Sequence, residues 1–249
     1  MMVDQLRVEI HADRAALGQA AADAAIGAIS DVVPAQDAAA VVFAAAPSQN
    51  ETHTALRAQP GIDWRRVTAF HLDEYAGMSR DHPASFRRFL RRSLFDHLPI
   101  REFHEMQGDA PDLLRECGRY SALLREADPQ VCLLGVGENG HLAFNDPPVD
   151  FDDPQDVKIV ELDEVCRNQQ VHDGCFLALD DVPRQALTMT VPAIMRIPRL
   201  IVVVPGPAKA PAVRAALRGV IAPECPASIL RRHPNATLFL DRDSASLLG

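Results

Sequence analysis

Four short segments of this 249-residue chain combine residue types that can move protons or hold an anion. HLDEY places Asp73 and Glu74 at the end of an apolar stretch. Adjacent strand residues point to opposite faces, so only one of the two can enter a pocket while the other caps the next segment or meets solvent. A carboxylate against apolar walls has a raised pKa and can serve as a general base near neutral pH. ENGH puts His141 directly after a glycine turn, with Glu138 and Asn139 before it and Asp146 beyond it. Such polar neighbours can fix the single tautomer that a proton-transferring histidine needs. AAAPSQNE is a strand-to-helix junction where Ser48 can cap a helix and leave first-turn amides for an anion, although it has no glycine. PGPAKAP places Lys209 at a second such junction, where an ammonium could complete the charge. Each feature also has an ordinary explanation: solvated turn acids, a satisfied histidine, an exposed helix lysine.

Elements of alternating type must carry these segments. LRVEIHA reads as a strand followed by an alanine-rich helix capped by Asp13, running to about Asp31. AAVVFAA is apolar throughout, as suits a strand buried on both faces, with a helix expected from Ser48 to about Arg57. VTAFHLDEY makes a third strand, PASFRRFLRRSLF and Pro111 to about Glu126 are helical, and VCLLGVG reads as a central parallel strand. VKIVEL, RLIVVVPG and ATLFLD add strands, and AKAPAVRAALRG a helix. This order predicts an α/β fold, an open and mainly parallel sheet with helices on both faces, whose ligands bind beyond the carboxyl ends of the strands. The four reactive segments all sit at such ends. GVGENG also matches a dinucleotide fingerprint, but that motif needs a helix to open within it, and Pro147 and Pro148 leave no room for a long one.

Composition removes other classes. Lys and Arg number 25 against 34 Asp and Glu, for a net charge of -9, which disfavours nucleic-acid binding. Asp4, Glu9 and Asp13 interrupt the start of the chain, and no uninterrupted apolar run reaches a bilayer's thickness. A soluble, cytoplasmic protein with no membrane partner is the expectation. The five cysteines are scattered with no CxxC pair, which fits reduced core thiols and no metal site. No linker divides residues 1–249, so a single domain is expected, with the proline-rich stretch 145–154 as a functional loop.

Taken together, FHLDEYAG, DHPASFRRFLRRSLFDHLP, LLGVGENGHLAFNDPP, VPGPAKAPAVRAAL and CPASILRRHPNATLFLD resemble the glucosamine-6-phosphate deaminase/isomerase family. The resemblance implies a Rossmann-like sheet shared with 6-phosphogluconolactonases. It also implies conversion of glucosamine 6-phosphate to fructose 6-phosphate and ammonia with no organic cofactor. On this resemblance Asp73 matches the general base, His141 the histidine that assists ring opening, and Lys209 a phosphate-binding lysine, while Ser48 falls in the phosphate cradle. The family's aspartate before the histidine is Asn139 here, its glutamate after it is the shorter Asp146, and its glycine-rich loop is AAPSQ. Arg167 is the candidate for the phosphate-binding arginine, with Gln169 and Gln170 as alternative contacts. No clear match exists for residues of allosteric control. The expected partner is a small sugar phosphate, with a homo-oligomer left open. A lactonase-type hydrolase and a non-catalytic sugar-phosphate sensor are the alternative functions.

Overall fold

The computed structural model describes residues 1–36 and 38–249. In chain order the strands are β1 Met2–Val3, β2 Leu6–His11, β3 Ala39–Phe43, β4 Val67–His71, β5 Asp73–Tyr75 and β6 Glu102–Phe103, then β7 Val131–Leu134, β8 Val157–Glu161, β9 Gln185–Met189, β10 Arg199–Val204 and β11 Ala236–Asp241. The helices are α1 Arg14–Gln36, α2 Asn50–Ala58, α3 Phe86–Ser93, α4 Leu113–Ala127, α5 Glu164–His172, α6 Val191–Met195 and α7 Ala210–Arg218.

Eight strands form the main sheet in the order β1-β2-β11-β10-β7-β3-β4-β6, parallel except for β1. Its central strands β3 and β7 are apolar at every position, and β10 at every position after Arg199, because both faces are covered. Along β7, Val131 and Leu133 pack with Leu17, Ile29, Leu56 and Leu90 of α1, α2 and α3. Cys132 and Leu134 pack with Tyr120, Ile194 and Val213 of α4, α6 and α7 on the other face. α1 is long and apolar enough to cross a membrane by composition, yet Ala21, Ala25 and Ile29 are fully buried against the sheet, as in a core helix.

The chain builds β3, β4 and β6 outward in one direction, then returns to lay down β7, β10 and β11 in the other. The reversal lies between β3 and β7. At such a switch point neighbouring loops diverge from the strand ends and leave a crevice.

The third strand departs from its expected course. It stops at His71, and after Leu72 the chain starts β5, which joins β8 and β9 in a separate antiparallel sheet. β3 pairs with β4 only as far as His71, and β6 pairs only with Thr68 and Ala69. Beyond that point the backbone has no partner in the main sheet and takes one from β9 instead. α5 and α6, not foreseen as helices, begin at the caps Asp163 and Thr190.

Candidate active site

A cleft of about 260 Å³ opens at the switch point. Asp73, His141, Lys209 and Ser48 all line it, so the strand ends picked from sequence converge. Its volume falls below the roughly 300–1,000 Å³ of drug-sized sites, which suits a small polar ligand.

Asp73 and Glu74 lie on opposite faces of β5. Glu74 is fully buried and accepts hydrogen bonds from Ser85 Oγ at 2.8 Å, Phe86 N at 3.2 Å, and Arg87 N and Nε, both at 3.1 Å. It thereby holds the first turn of α3, where a carboxylate meets unpaired N–H groups and the positive end of the helix dipole. The Asp73 carboxylate accepts no hydrogen bond among the described residues and lines the cleft. Burial, reinforced by the charge of Glu74, pushes its pKa well above the ordinary carboxylate range.

His141 is held from behind. Its Nδ1 lies 3.0 Å from Asp146 Oδ1. That carboxylate also accepts from Asn139 Nδ2 at 2.9 Å and from the Asp163 amide at 3.0 Å. Burial alone would raise the pKa of Asp146, but the bonds from His141 and Asn139 outweigh it and hold the carboxyl below its usual range. An ionised Asp146 only accepts, so Nδ1 carries the proton and Nε2 is left as the acceptor toward the cleft. Asn139 donates additionally to Asp163 Oδ2 at 3.1 Å and accepts from the His141 amide at 3.0 Å. Neither Asn139 nor Asp146 lines the cleft; both fix the imidazole.

The loop carrying His141 is itself pinned. Asn145, buried, donates to Leu142 O at 2.7 Å and Met189 O at 2.8 Å, which ties the loop to β9. The glycine at 137 is required by space: a Cβ there would stand 2.2 Å from Cε1 and Nε2 of His141. Gly140 has φ +87°, a left-handed turn that favours glycine. No helix opens between residues 135 and 156, so the dinucleotide fingerprint lacks the helix that would hold a pyrophosphate.

The two strand-to-helix junctions have the same form. β3 runs through the 3₁₀ turn Pro47–Gln49 into α2, and β10 through the 3₁₀ turn Pro207–Lys209 into α7. Ser48 does not cap α2: the cap position is Gln49, with no side-chain bond, because Pro47 starts a tight turn ahead of the helix. The Ser48 hydroxyl instead lines the cleft and accepts from Gln49 Nε2 at 3.2 Å. Lys209 is only 8% exposed and forms no hydrogen bond or ion pair among the described residues. Burial lowers its pKa, and the charges of Asp173 and Glu138, which also line the cleft, oppose that shift.

Arg167 lies outside. Its Nη2 donates to Leu179 O at 2.6 Å and Val182 O at 3.1 Å, so it braces the segment after α5 and does not reach the cleft. Gln169 and Gln170, from the same helix, do line it. Tyr75 Oη donates to Gln170 Oε1 at 2.8 Å, and Gln169 Oε1 accepts from the Glu138 amide at 2.8 Å. Sequence reading missed Arg14, Phe86, Phe144 and Asp173 as lining residues. Phe86 and Phe144 stack at 5.5 Å and supply the apolar wall that desolvates the site.

His141, Asp146 and Cys166 offer ligand atoms within 4.8 Å of one another. Their donors already serve each other: the imidazole proton is engaged by Asp146, and burial pushes the Cys166 thiol far up, so it stays protonated. This donor set suits the orientation of an imidazole better than a metal.

The sequence profile of the glucosamine-6-phosphate isomerases/6-phosphogluconolactonase family matches residues 12–239. The chain belongs to that family. Two relatives in it are the glucosamine-6-phosphate deaminases of Bacillus cereus strain B4264, 40% identical over 186 residues, and Bacillus thuringiensis strain Al Hakam, 39% identical over the same length. Both alignments cover 75% of this chain and 70% of the relative. Among solved structures, a monomeric glucosamine-6-phosphate deaminase superposes with a TM-score of 0.89 and 31% identity over 97% of this chain and 99% of its own. A 6-phosphogluconolactonase from Trypanosoma brucei superposes with a TM-score of 0.80 and 20% identity over 98% of each chain, which establishes the shared fold.

Proposed function

We propose that this family member converts glucosamine 6-phosphate, or a close amino-sugar phosphate, to fructose 6-phosphate and ammonia. The observation that carries the reading is Asp73: a buried carboxylate with a raised pKa and no hydrogen-bond donor among the described residues, on the same cleft as a tautomer-fixed imidazole and the buried Lys209 ammonium.

His141 Nε2 assists ring opening by relaying the proton between the anomeric hydroxyl and the ring oxygen. Asp73 then takes the proton from C2 of the open aldose and returns it to C1. As the C1 carbonyl becomes a hydroxyl, its oxygen gains a proton and the C2 amine gives one up to become an imine, which water hydrolyses to the ketone and ammonia. Apolar walls keep Asp73 poorly solvated, which makes it a stronger base than an ordinary carboxylate. Lys209, Ser48 and the first turns of α2 and α7 hold the phosphate. Asn139 and Asp146 position the histidine, and the whole of residues 1–249 acts as one domain.

The test is steady-state production of ammonia and ketose phosphate from glucosamine 6-phosphate, run beside a phosphogluconolactone. Coupled release of both products supports the reading. Lactone hydrolysis without amine release, or ligand-induced stabilisation with no turnover of either compound, overturns it in favour of a hydrolase or a sensor respectively.

A further inference from the structure

Arg14, at the start of α1, lines the same cleft although no motif pointed to it. Its Nε and Nη2 both donate to Glu51, at 3.0 and 3.1 Å, in a two-pronged clamp from α2. Nη2 also reaches Pro47 O at 3.4 Å, on the first strand-to-helix turn. Nη1 donates no hydrogen bond among the described residues and lies beside the second turn, 3.9 Å from where a Cβ on Gly206 would stand. The guanidinium therefore spans the two turns that present Ser48 and Lys209, with one N–H edge locked on Glu51 and the other unspent.

Lys209 supplies the independent sign that this end of the cleft takes an anion, since the residue is nine-tenths buried and its ammonium has no partner among the described residues. The AAPSQ turn has no glycine and its proline carries no N–H, so its backbone offers an anion fewer donors than a glycine-rich loop does. A planar, permanently charged donor aimed by a carboxylate can supply the bonds that such backbone does not.

We propose that Arg14, oriented by Glu51, is a specificity-determining residue that binds the phosphate of the substrate through Nη1, opposite Lys209. This inference rests on the sugar-phosphate reading above. Glu51 is the positioning residue: it touches no substrate and fixes which edge of the guanidinium faces inward.

The test uses glucosamine 6-phosphate kinetics together with calorimetric binding of glucose 6-phosphate, which has the phosphate but no amine, and of glucose as its neutral control. Arg14→Ala should raise KM and weaken glucose 6-phosphate binding by about 10- to 100-fold, the range of a charge-assisted bond, with kcat within about threefold. Arg14→Lys, which keeps the charge and loses the fork, should fall between, as should Glu51→Gln. Thermal melts of the unliganded variants establish that they are folded. Unchanged KM and glucose 6-phosphate affinity in folded Arg14→Ala overturns the proposal, as does a fall in kcat with affinity intact, or equal binding of glucose and glucose 6-phosphate by the unaltered protein. Arg14-dependent binding of glucose 6-phosphate in a protein that releases no ammonia supports this site and removes the deaminase reading alone.

Discussion

Asp73 and Glu74 are joined by one peptide bond and occupy opposite electrostatic worlds: four donors from α3 converge on Glu74, whereas none meets the Asp73 carboxylate in the cleft. The alternation of a three-residue strand produces the contrast, because β5 delivers one side chain to each face. Burial raises the pKa of both carboxyls; the donors around Glu74 oppose that rise, whereas at Asp73 the neighbouring charge of Glu74 adds to it.

Replacing Asp73 by Asn should lower kcat by two decades or more, about the contribution expected of a general base, with a small change in KM. The rate on the unaltered protein should rise with pH through an apparent pKa above the ordinary carboxylate value. The raised folded-state pKa means that the folded chain binds this proton more tightly than the unfolded one. Ionisation of Asp73 therefore opposes folding, with no penalty below the unfolded value and the full penalty above the folded one. Asp73→Asn should melt higher than the unaltered protein at neutral pH, by about 2–4 °C per kcal/mol relieved, and the advantage should shrink toward pH 4. Calorimetric melts across that range decide it, and an inactive variant that is also less stable at pH 7 contradicts the assignment.

Glu74→Gln should damage the fold more than the chemistry. Arg87, 2% exposed, would lose its buried counter-charge and keep the half-exposed Asp109 as its one charged partner among the described residues. Removing one member of a buried pair costs about 3–5 kcal/mol. Urea unfolding should register that loss, and a change under about 1 kcal/mol would contradict the role given to Glu74.

Asn139→Asp introduces the residue that the family resemblance leads one to expect, yet it should weaken this protein. Asn139 Nδ2 donates to both Asp146 and Asp163, and the substitution exchanges two hydrogen bonds for two like-charge contacts. We expect a loss of about 1–3 kcal/mol of stability and a fall in kcat as His141 loosens. Rescue on lowering the pH, where the added acid is protonated, separates repulsion from simple misfolding.

Gly137→Ala should abolish turnover in a folded protein, since its methyl group would occupy the space of the His141 ring. A near-normal melting temperature with a rate lowered at least about a hundredfold is the expected pair of readings, the scale of a misplaced catalytic group. Normal activity would mean that the imidazole works from another position.

The central strands were legible because burial on both faces writes itself into sequence as unbroken apolar runs such as VCLLGVG and RLIVVVPG. The convergence of Asp73, His141, Ser48 and Lys209 was legible from the strand-end rule. Distant partners hid the rest. The break at Leu72 depends on β9, whose register with β5 no local pattern reveals. Arg14 joins the cleft through Glu51, a residue of another helix, and Arg167 misses it by bonding the carbonyls of Leu179 and Val182. Ser48 failed as a cap because Pro47 favours a tight turn first.

Asp73 rides on the small antiparallel sheet, while Ser48 and Lys209 follow strands of the large parallel one. In the role proposed for Asp73, proton abstraction gauges how the two layers are registered. A slip of about 1 Å between them would leave every side chain intact and still cost on the order of a hundredfold in rate. Core substitutions along that seam, well away from any reacting atom, are where silent losses of turnover should accumulate.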